Sequence, residues 1–289
     1  MLELFRSRSI ILMYHRIASA ERDPWGLCVT PQHFAEHLEV LRKYRTVRLA
    51  DMRPGRWSIN SAQCVALTFD DGYADNLYQA LPLLKRFDTP ATFFIATGYL
   101  DSPGEFWWDE LERVVYARNP PAGLSIEDWH LQIYRELQPL SHVARRQILD
   151  QMLAETGQPT SARVSHRVLT FSELAELASE KCVEIGAHTI THPRLSTQSV
   201  SEQTYELRGS RQALEGLTDG EVTSLSYPYG GSDDYTQATV KAASESGFRR
   251  ACTTNAKCIR DSDNRFEWGR IQVPDVDGDG FEEFLRSTL

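Results

Sequence analysis

Short apolar segments that favour β-strand alternate with amphipathic helical segments along most of this 289-residue chain. The pattern predicts strands at residues 10–14, 65–67, 91–96, 183–187, 224–226 and 250–253. It predicts helices near residues 30–41, 77–84, 171–177, 201–215, 236–246 and 281–289. Repeated βα units imply parallel strands joined by right-handed crossovers. We therefore predict the α/β class: a distorted (β/α) barrel of parallel strands, with residues 1–289 forming a single domain.

Two of the predicted helices carry clear start signals. Thr30-Pro31 combines an N-cap residue with a proline suited to the first helical turn. Thr170 and Glu173 have the spacing of a capping box. These signals predict where the helices begin.

The segment from about residue 101 to 165 breaks the alternation and is predicted to be a mostly helical insertion. It begins with Trp107 and Trp108, whose indole rings could stack on the apolar C–H faces of a sugar. The alternative interpretation is that these residues anchor the insertion to the barrel.

Carboxylates and imidazoles follow two of the predicted strands. Asp70 and Asp71 come after the apolar run at 65–67, and His188 and His192 come after the strand at 183–187. Both pairs would open onto the same face of one sheet or barrel, where α/β enzymes hold their chemistry. Two histidines and one aspartate give three metal ligands and leave a position open for water. The second aspartate would remain free to act as a base.

Each motif has a simpler interpretation when it stands alone. An Asp-Asp-Gly is usually a turn with an N-cap. A His-x-x-x-His pair is often half-buried, with a backbone partner and no metal. Their common position after strands favours the shared metal site.

Three motifs together resemble the polysaccharide deacetylase family, also called the NodB-homology domain or carbohydrate esterase family 4. Residues 68–72 (Thr-Phe-Asp-Asp-Gly) resemble its first motif, residues 188–192 its second, and residues 226–230 (Ser-Tyr-Pro-Tyr-Gly) a variant of its third. The resemblance covers most of the chain and implies a distorted (β/α) barrel.

The resemblance also implies the roles of the motif residues, which their spacing alone leaves open. Asp70 is expected to be the general base, and the backbone N–H of Tyr229 to contribute to an oxyanion hole. The expected metal ligands are Asp71, His188 and His192. Zinc suits two imidazoles and one carboxylate, and other transition-metal ions suit them too. Met13, Tyr73 and Pro228, which belong to or adjoin the motifs, are expected to bind substrate together with Trp107 and Trp108.

The third motif departs from the family pattern, because Ser226 occupies the position of the usual arginine. Arg270 is a candidate replacement that would pair with Asp70. The alternative is that Arg270 lies at a strand edge in a surface ion pair.

The histidine acid of the family is normally found near the C-terminus, but no histidine follows His192 here. Met13-x-His15 instead mimics the family's final Leu-x-His motif near the start of the chain. This arrangement resembles the circularly permuted deacetylases that act on biofilm poly-N-acetylglucosamine. A closed barrel tolerates such a permutation, since its first and last strands are neighbours. His15 is therefore predicted to be the general acid; the alternative is a core histidine.

Composition limits the partners. Forty acidic and 31 basic residues give a net charge of −9 without a basic stripe, which disfavours nucleic acid and anionic membrane. The apolar run at 10–14 is too short to cross a membrane, and no signal-peptide pattern is seen. Five scattered cysteines are typical of a reducing compartment, so a cytoplasmic protein is expected. The sequence makes no prediction of oligomeric state.

The predicted reaction is metal-assisted hydrolysis of an acetamide on an N-acetylhexosamine unit of a surface polysaccharide or its precursor. Two alternatives within the fold stay open: an O-acetyl esterase acting on a glycan, and a catalytically silent glycan-binding protein. A non-haem iron oxygenase also uses two histidines and a carboxylate, but its usual jelly roll conflicts with the βα alternation.

Overall fold

The computed structural model describes residues 9–53 and 64–288. Its strands are β1 (Ile10–Tyr14), β2 (Arg16–Ile17), β3 (Cys28–Val29), β4 (Arg45–Val47), β5 (Cys64–Phe69), β6 (Ala91–Ile95), β7 (Val183–Ala187), β8 (Ser224–Ser226), β9 (Arg250–Cys252) and β10 (Ile271–Gln272). Its α-helices are α1 (Pro31–Leu41), α2 (Leu81–Arg86), α3 (Trp107–Tyr116), α4 (Ile126–Leu137), α5 (His142–Thr156), α6 (Phe171–Ala178), α7 (Val200–Thr218), α8 (Gln237–Glu245) and α9 (Gly278–Thr288).

In the described ranges, eight strands form one parallel sheet in the order β10-β1-β5-β6-β7-β8-β9. The eighth strand, β4, pairs with the first half of β5, and β6 pairs with the second half. Beyond β9 the path nearly closes, because Trp268 N–H donates to Ala251 O at 3.0 Å three residues before β10 begins. The predicted distorted (β/α) barrel of a single domain is confirmed.

The N-terminal strand lies where the permuted arrangement requires it. Leu12 of β1 is in register with Ile271 of β10 on one side and with Leu67 of β5 on the other. The first strand therefore lies between the last strand and the strand that leads into the aspartate pair.

The predicted start signals match the helix ends. Thr30 caps α1 by accepting from His33 N–H, and Thr170 and Glu173 form a reciprocal capping box at α6. The helix predicted near residue 77 differs, because it begins with a π-helical turn over Asn76–Ala80 before α2. Pro82 supplies a physical reason: it has no N–H to donate, which interrupts regular α-helical hydrogen bonding at this point.

The segment from 101 to 165 contains three helices, α3 to α5, as its composition predicts. Residue 289, the predicted end of the last helix, lies outside the described residues. Within the described ranges, no helix combines the length and the apolar character needed to span a bilayer.

Candidate metal centre

Two tight turns present site residues at the ends of β5 and β8. After β5, Gly72 N–H donates to the carbonyl two residues earlier at 3.0 Å, around Asp71 with a left-handed φ of 75°. After β8, Gly230 N–H makes the same kind of bond at 2.7 Å around Tyr229, whose φ is 62°. Such three-residue turns are strained for residues that carry a side chain. Strain of this kind is typical of functional sites, where the surrounding structure holds it in place.

The two histidines follow β7 on a turn that is also strained. Thr189 and His192 have left-handed φ values of 66° and 52°. Glu206 on α7 braces this turn, since its carboxylate accepts the N–H groups of Ile190 and Thr191 at 2.7 and 2.9 Å. The brace holds the segment between the two imidazoles in place.

Three ligand atoms converge at the ends of these strands. His188 Nε2 and His192 Nε2 lie 3.4 and 3.5 Å from Asp71 Oδ1, and all three atoms lie within 4.8 Å of one another. These distances exceed the roughly 2.7–2.9 Å of a charge-assisted hydrogen bond. They match the separation of about 3.4 Å between two ligands that each lie about 2.1 Å from a tetrahedral zinc. The donor set therefore fits a divalent ion.

The surroundings of the two histidines favour metal binding through Nε2. His188 Nδ1 lies 2.8 Å from Ser226 O, an arrangement that places the proton on Nδ1 and leaves the Nε2 lone pair free. Burial lowers the pKa of His192 to about 3, so its imidazole is neutral, which is the form that binds metals. Among the described residues, His192 Nδ1 is buried without a partner.

Asp70 lies beside the three ligands and is bound by a buried arginine. Arg270 donates from both terminal nitrogens to the two carboxylate oxygens of Asp70 at 2.6 Å, and its side chain is fully buried. The guanidinium also donates to the hydroxyls of Ser226 and Thr68 at 2.7 and 3.2 Å, and its Nε donates to Thr253 O at 3.1 Å. Burial alone would raise the pKa of Asp70, but the charge and hydrogen bonds of Arg270, together with His188 and His15, outweigh it and hold that pKa well below its usual value. The carboxylate is ionised across the neutral pH range.

His15 follows β1 and faces the same cavity as the two aspartates. Asn76 fixes its backbone by donating from Nδ2 to His15 O at 2.8 Å. Burial lowers the pKa of His15, and the charges of Asp71 and Asp70 oppose this only in part. The direction is opposite to the upward shift that would help a general acid to hold its proton at neutral pH. A His15 that is neutral at rest must gain a proton before it can give one.

A cavity of about 560 Å³ opens over these groups. Asp70, Asp71, His188 and His192 line it together with His15. Its volume falls in the range of roughly 300–1,000 Å³ that is typical of small-molecule sites.

A family comparison identifies this arrangement. The family model described as polysaccharide deacetylase matches residues 58–123 and 142–251, more than half of the chain. The chain belongs to the polysaccharide deacetylase family. The match contains the three candidate metal ligands and Asp70, whereas β1 with His15 and β10 with Arg270 lie outside it.

Individual relatives of this deacetylase family agree with the match. YxkH of Bacillus subtilis, named as a candidate polysaccharide deacetylase, is 24% identical over 282 residues, which cover 96% of this chain and 76% of that protein. The Streptococcus pyogenes deacetylase PplD, solved in complex with acetate, superposes with a TM-score of 0.66 at 20% identity and 98% coverage of both chains. IcaB from Ammonifex degensii gives a TM-score of 0.66 at 18% identity, covering 98% of this chain and 97% of its own. At these identities the structures establish the shared fold.

The family match also bears on the predicted insertion. It includes α3 and α5 and omits only residues 124–141, the part that contains α4. The boundaries of the insertion at 101 and 165 stay a prediction.

The substrate residues predicted for this deacetylase occupy different positions in the structure. Met13 and Trp108 line the cavity, and the Trp108 ring centroid lies 4.8 Å from that of His192. Tyr73 and Pro228 are buried and do not line this cavity. Tyr73 instead contacts Trp108 from behind, accepting its indole N–H at 2.9 Å.

Trp107 has the surroundings of an anchor. It is only 3% exposed, its ring stacks on Tyr134 at 4.9 Å, and Arg145 lies over it at 4.5 Å. Its indole N–H donates to the hydroxyl of Tyr229 at 3.2 Å. The structure therefore favours the anchoring interpretation over sugar stacking, because a buried indole outside the cavity lining offers no face to a ligand.

Several residues of the site give no recognisable signal in the sequence. Glu206 braces the histidine turn from the middle of a long helix, with no motif around it. The cavity is also lined by Trp25, Leu27, Tyr134 and Phe284, which come from distant segments. Ser226 was predictable as a departure from the third motif, although its hydroxyl contact with Asp70 at 3.1 Å was not.

Proposed function

We propose that this chain is a metal-dependent carbohydrate deacetylase that removes the N-acetyl group from an N-acetylhexosamine unit of a surface polysaccharide or its precursor. The observation that carries the proposal is the pairing of a three-atom ligand set with an ionised, non-ligand carboxylate in one cavity. Membership of the deacetylase family supports the reaction class.

Asp71, His188 and His192 would hold the metal, with zinc the ion that suits this donor set best. A divalent ion there would act as a Lewis acid on the acetyl carbonyl and make a nearby water more acidic. The chain's own task is to present both imidazoles through Nε2. Burial keeps His192 neutral, and the Ser226 carbonyl orients the His188 ring, although burial is outweighed at His188 by the two aspartates, which raise its pKa.

Asp70 is placed to take a proton from the attacking water. Its two oxygens remain bound to Arg270, so the carboxylate keeps its charge and its orientation. Arg270, directly before β10, thus supplies the cation that the third motif lacks at Ser226.

The remaining steps need a donor for the oxyanion and a proton for the amine. In the described part of the chain, Tyr229 N–H has no hydrogen-bond partner, and its strained turn lies beside the ligand histidines, with the Tyr229 ring centroid 4.8 Å from that of His192. His15 would protonate the leaving nitrogen after it gains a proton. The C–N bond breaks, water supplies the new C–O bond, and acetate and a free amino sugar are released.

The test is acetate release from a panel of N-acetylated and O-acetylated glycans, with and without a chelator, using Asp70→Asn as the inactive control. We expect acetate from N-acetylated substrates, its loss on chelation, and recovery on adding zinc. Release from O-acetyl esters alone would favour the esterase alternative. An absence of release from every glycan, with metal bound, would favour the silent glycan-binding alternative.

A further inference from the structure

Part of the cavity lining is apolar. The residues that we name the apolar wall line the same cavity as the metal centre without belonging to the candidate ligand set: Trp25, Leu27, Ile271 and Phe284. Three of them are half-buried, and Ile271 is buried. All four lie outside the ranges that match the family model, so the wall is a feature of this chain's own terminal segments.

The wall is built on fixed elements. The Trp25 ring packs on Tyr134 of α4 with centroids 4.0 Å apart. Gln272, next to Ile271, donates from Nε2 to Gly26 O at 2.7 Å and so ties β10 to the loop that carries Leu27. Because the wall is held from two sides, it presents a surface formed before any ligand binds.

Several polar atoms near the wall already have partners, whereas Trp25 Nε1 is buried without one among the described residues. The Thr254 hydroxyl donates to Tyr229 O at 2.8 Å, and the Gln272 amide nitrogen is engaged by the loop. Every ionisable group that lines the cavity, apart from the tyrosines, belongs to the metal centre: His15, Asp70, Asp71, His188 and His192. A second sugar ring would bring several hydroxyls to a surface with few free hydrogen-bond partners, whereas an apolar group would lose nothing there.

We propose that the substrate carries an apolar group next to its acetylated sugar, and that the apolar wall binds this aglycone. The proposal rests on the proposed deacetylase function and narrows its substrate class to glycosides with an alkyl, prenyl or aryl aglycone. The cavity of about 560 Å³ has room for such a group beside the acetamide, since it lies within the usual range for whole small molecules.

The experiment compares the methyl, butyl and octyl β-glycosides of N-acetylglucosamine with N-acetylated chitotriose. Acetate release from zinc-loaded protein is measured with each compound below its micelle-forming concentration. Each methylene that the wall buries should raise kcat/KM about fourfold, which is equivalent to about 0.8 kcal/mol. We expect the gain mainly in KM, because the wall contains no candidate metal ligand or acid–base group and should bind ground state and transition state alike.

Two variants on separate elements test the wall itself. Phe284→Ser on α9 and Leu27→Ser on the β2–β3 loop should each reduce the dependence of kcat/KM on alkyl length. Glu283→Gln, an exposed neighbour on the same helix, is the matched control and should keep that dependence. Using two positions keeps the test valid if one variant folds poorly, which thermal unfolding would reveal.

The possible outcomes distinguish a failure of the aglycone proposal from a failure of the proposed deacetylase function. Equal kcat/KM across the alkyl series, or a preference for chitotriose over octyl glycoside, would overturn the apolar aglycone and leave the deacetylase intact. An unchanged chain-length dependence in both serine variants would also overturn it. An absence of acetate with every compound would contradict the proposed function, and this inference with it.

Discussion

The metal centre and the apolar wall share one cavity but are held in different ways. In the metal centre, the side chains of Asp70 and His188 have defined polar partners, and Asp71 has a strained left-handed backbone. The apolar wall is held by packing, and its residues come from segments outside the family match. The difference teaches that the reaction is fixed by a few oriented polar atoms, whereas substrate preference rests on surfaces that can vary with little effect on the chemistry. Substitutions should therefore act abruptly in the first region and gradually in the second.

The largest effect is expected from removing a ligand. His188→Ala or His192→Ala should abolish both metal binding and acetate release, because two protein ligands hold a divalent ion far more weakly than three. Metal content of the purified protein, measured beside activity, tests this. His33→Ala, a histidine on α1 outside the cavity, is the matched control and should keep both. Full metal content in either ligand variant would contradict the ligand assignment.

Asp70→Asn should separate the metal from the chemistry. We expect normal metal content and a loss of turnover by several orders of magnitude, since the amide cannot accept the proton from water. Asparagine keeps the shape of the side chain but leaves the buried Arg270 guanidinium without its counter-charge, so the variant should lose unfolding free energy while it keeps the fold and the ligand set. If the variant loses its metal, Asp70 is a ligand and its assignment as base is wrong.

A smaller loss is expected at His15. His15→Ala should keep the metal and the fold, and should lower turnover by roughly 10²–10⁴, the usual range for an acid–base group. Amide substrates should suffer more than activated esters, because an ester with a good leaving group departs without protonation. Equal losses on both substrate types would return His15 to a structural role.

Local signals explain how much of this molecule could be predicted. The capping box at Thr170 and the alternation of strands and helices depend on neighbouring residues, and both appear in the structure as predicted. The convergence of Asp71, His188 and His192 could be anticipated because each motif directly follows a parallel strand, and the ends of such strands meet at one edge.

The features that escaped prediction depend on contacts between distant parts of the chain. Leu27 and Phe284 line one cavity because β1 lies beside β10. No local sequence signal near either residue predicts this. Trp107 illustrates the same limit: an aromatic pair looks equally suited to a sugar and to a core until burial decides. The lowered pKa of His15 was missed because it follows from burial, which a strand-end position does not reveal.

Arg270→Met tests the ion pair beneath the metal centre. The variant leaves the buried Asp70 carboxylate without its cation, which typically costs about 3–5 kcal/mol of unfolding free energy. It should also slow catalysis without releasing metal. Urea unfolding of this variant, of Asp70→Asn and of the double variant measures the coupling. If the losses of unfolding free energy in the two single variants simply add in the double variant, the two side chains do not act as a pair.

The smallest effect is expected at the boundary between the metal centre and the apolar wall, where the free energy of unfolding should depend on pH. Trp108 lines the cavity beside His192, and behind it Tyr73 accepts the Trp108 indole N–H and donates its own hydroxyl to Asp109 at 2.7 Å. Burial raises the pKa of Asp109 to about 7, although Arg16 and the Tyr73 hydroxyl oppose the shift. The folded protein therefore holds a proton between about pH 4 and pH 7 that the unfolded chain has released, so this group lowers stability as pH rises through that window.

Asp109→Asn should remove that dependence, because the amide can accept from Tyr73 without titrating. Relative to the unmodified protein, the variant should gain roughly 2–3 kcal/mol of unfolding free energy between pH 5 and pH 8. Urea unfolding of both proteins at the two pH values measures the difference, and subtraction removes every other titrating group. Parallel stability profiles would mean that Asp109 titrates at its ordinary pKa. The hydrogen bonds behind Trp108 would then be independent of pH, as the packing of the apolar wall is.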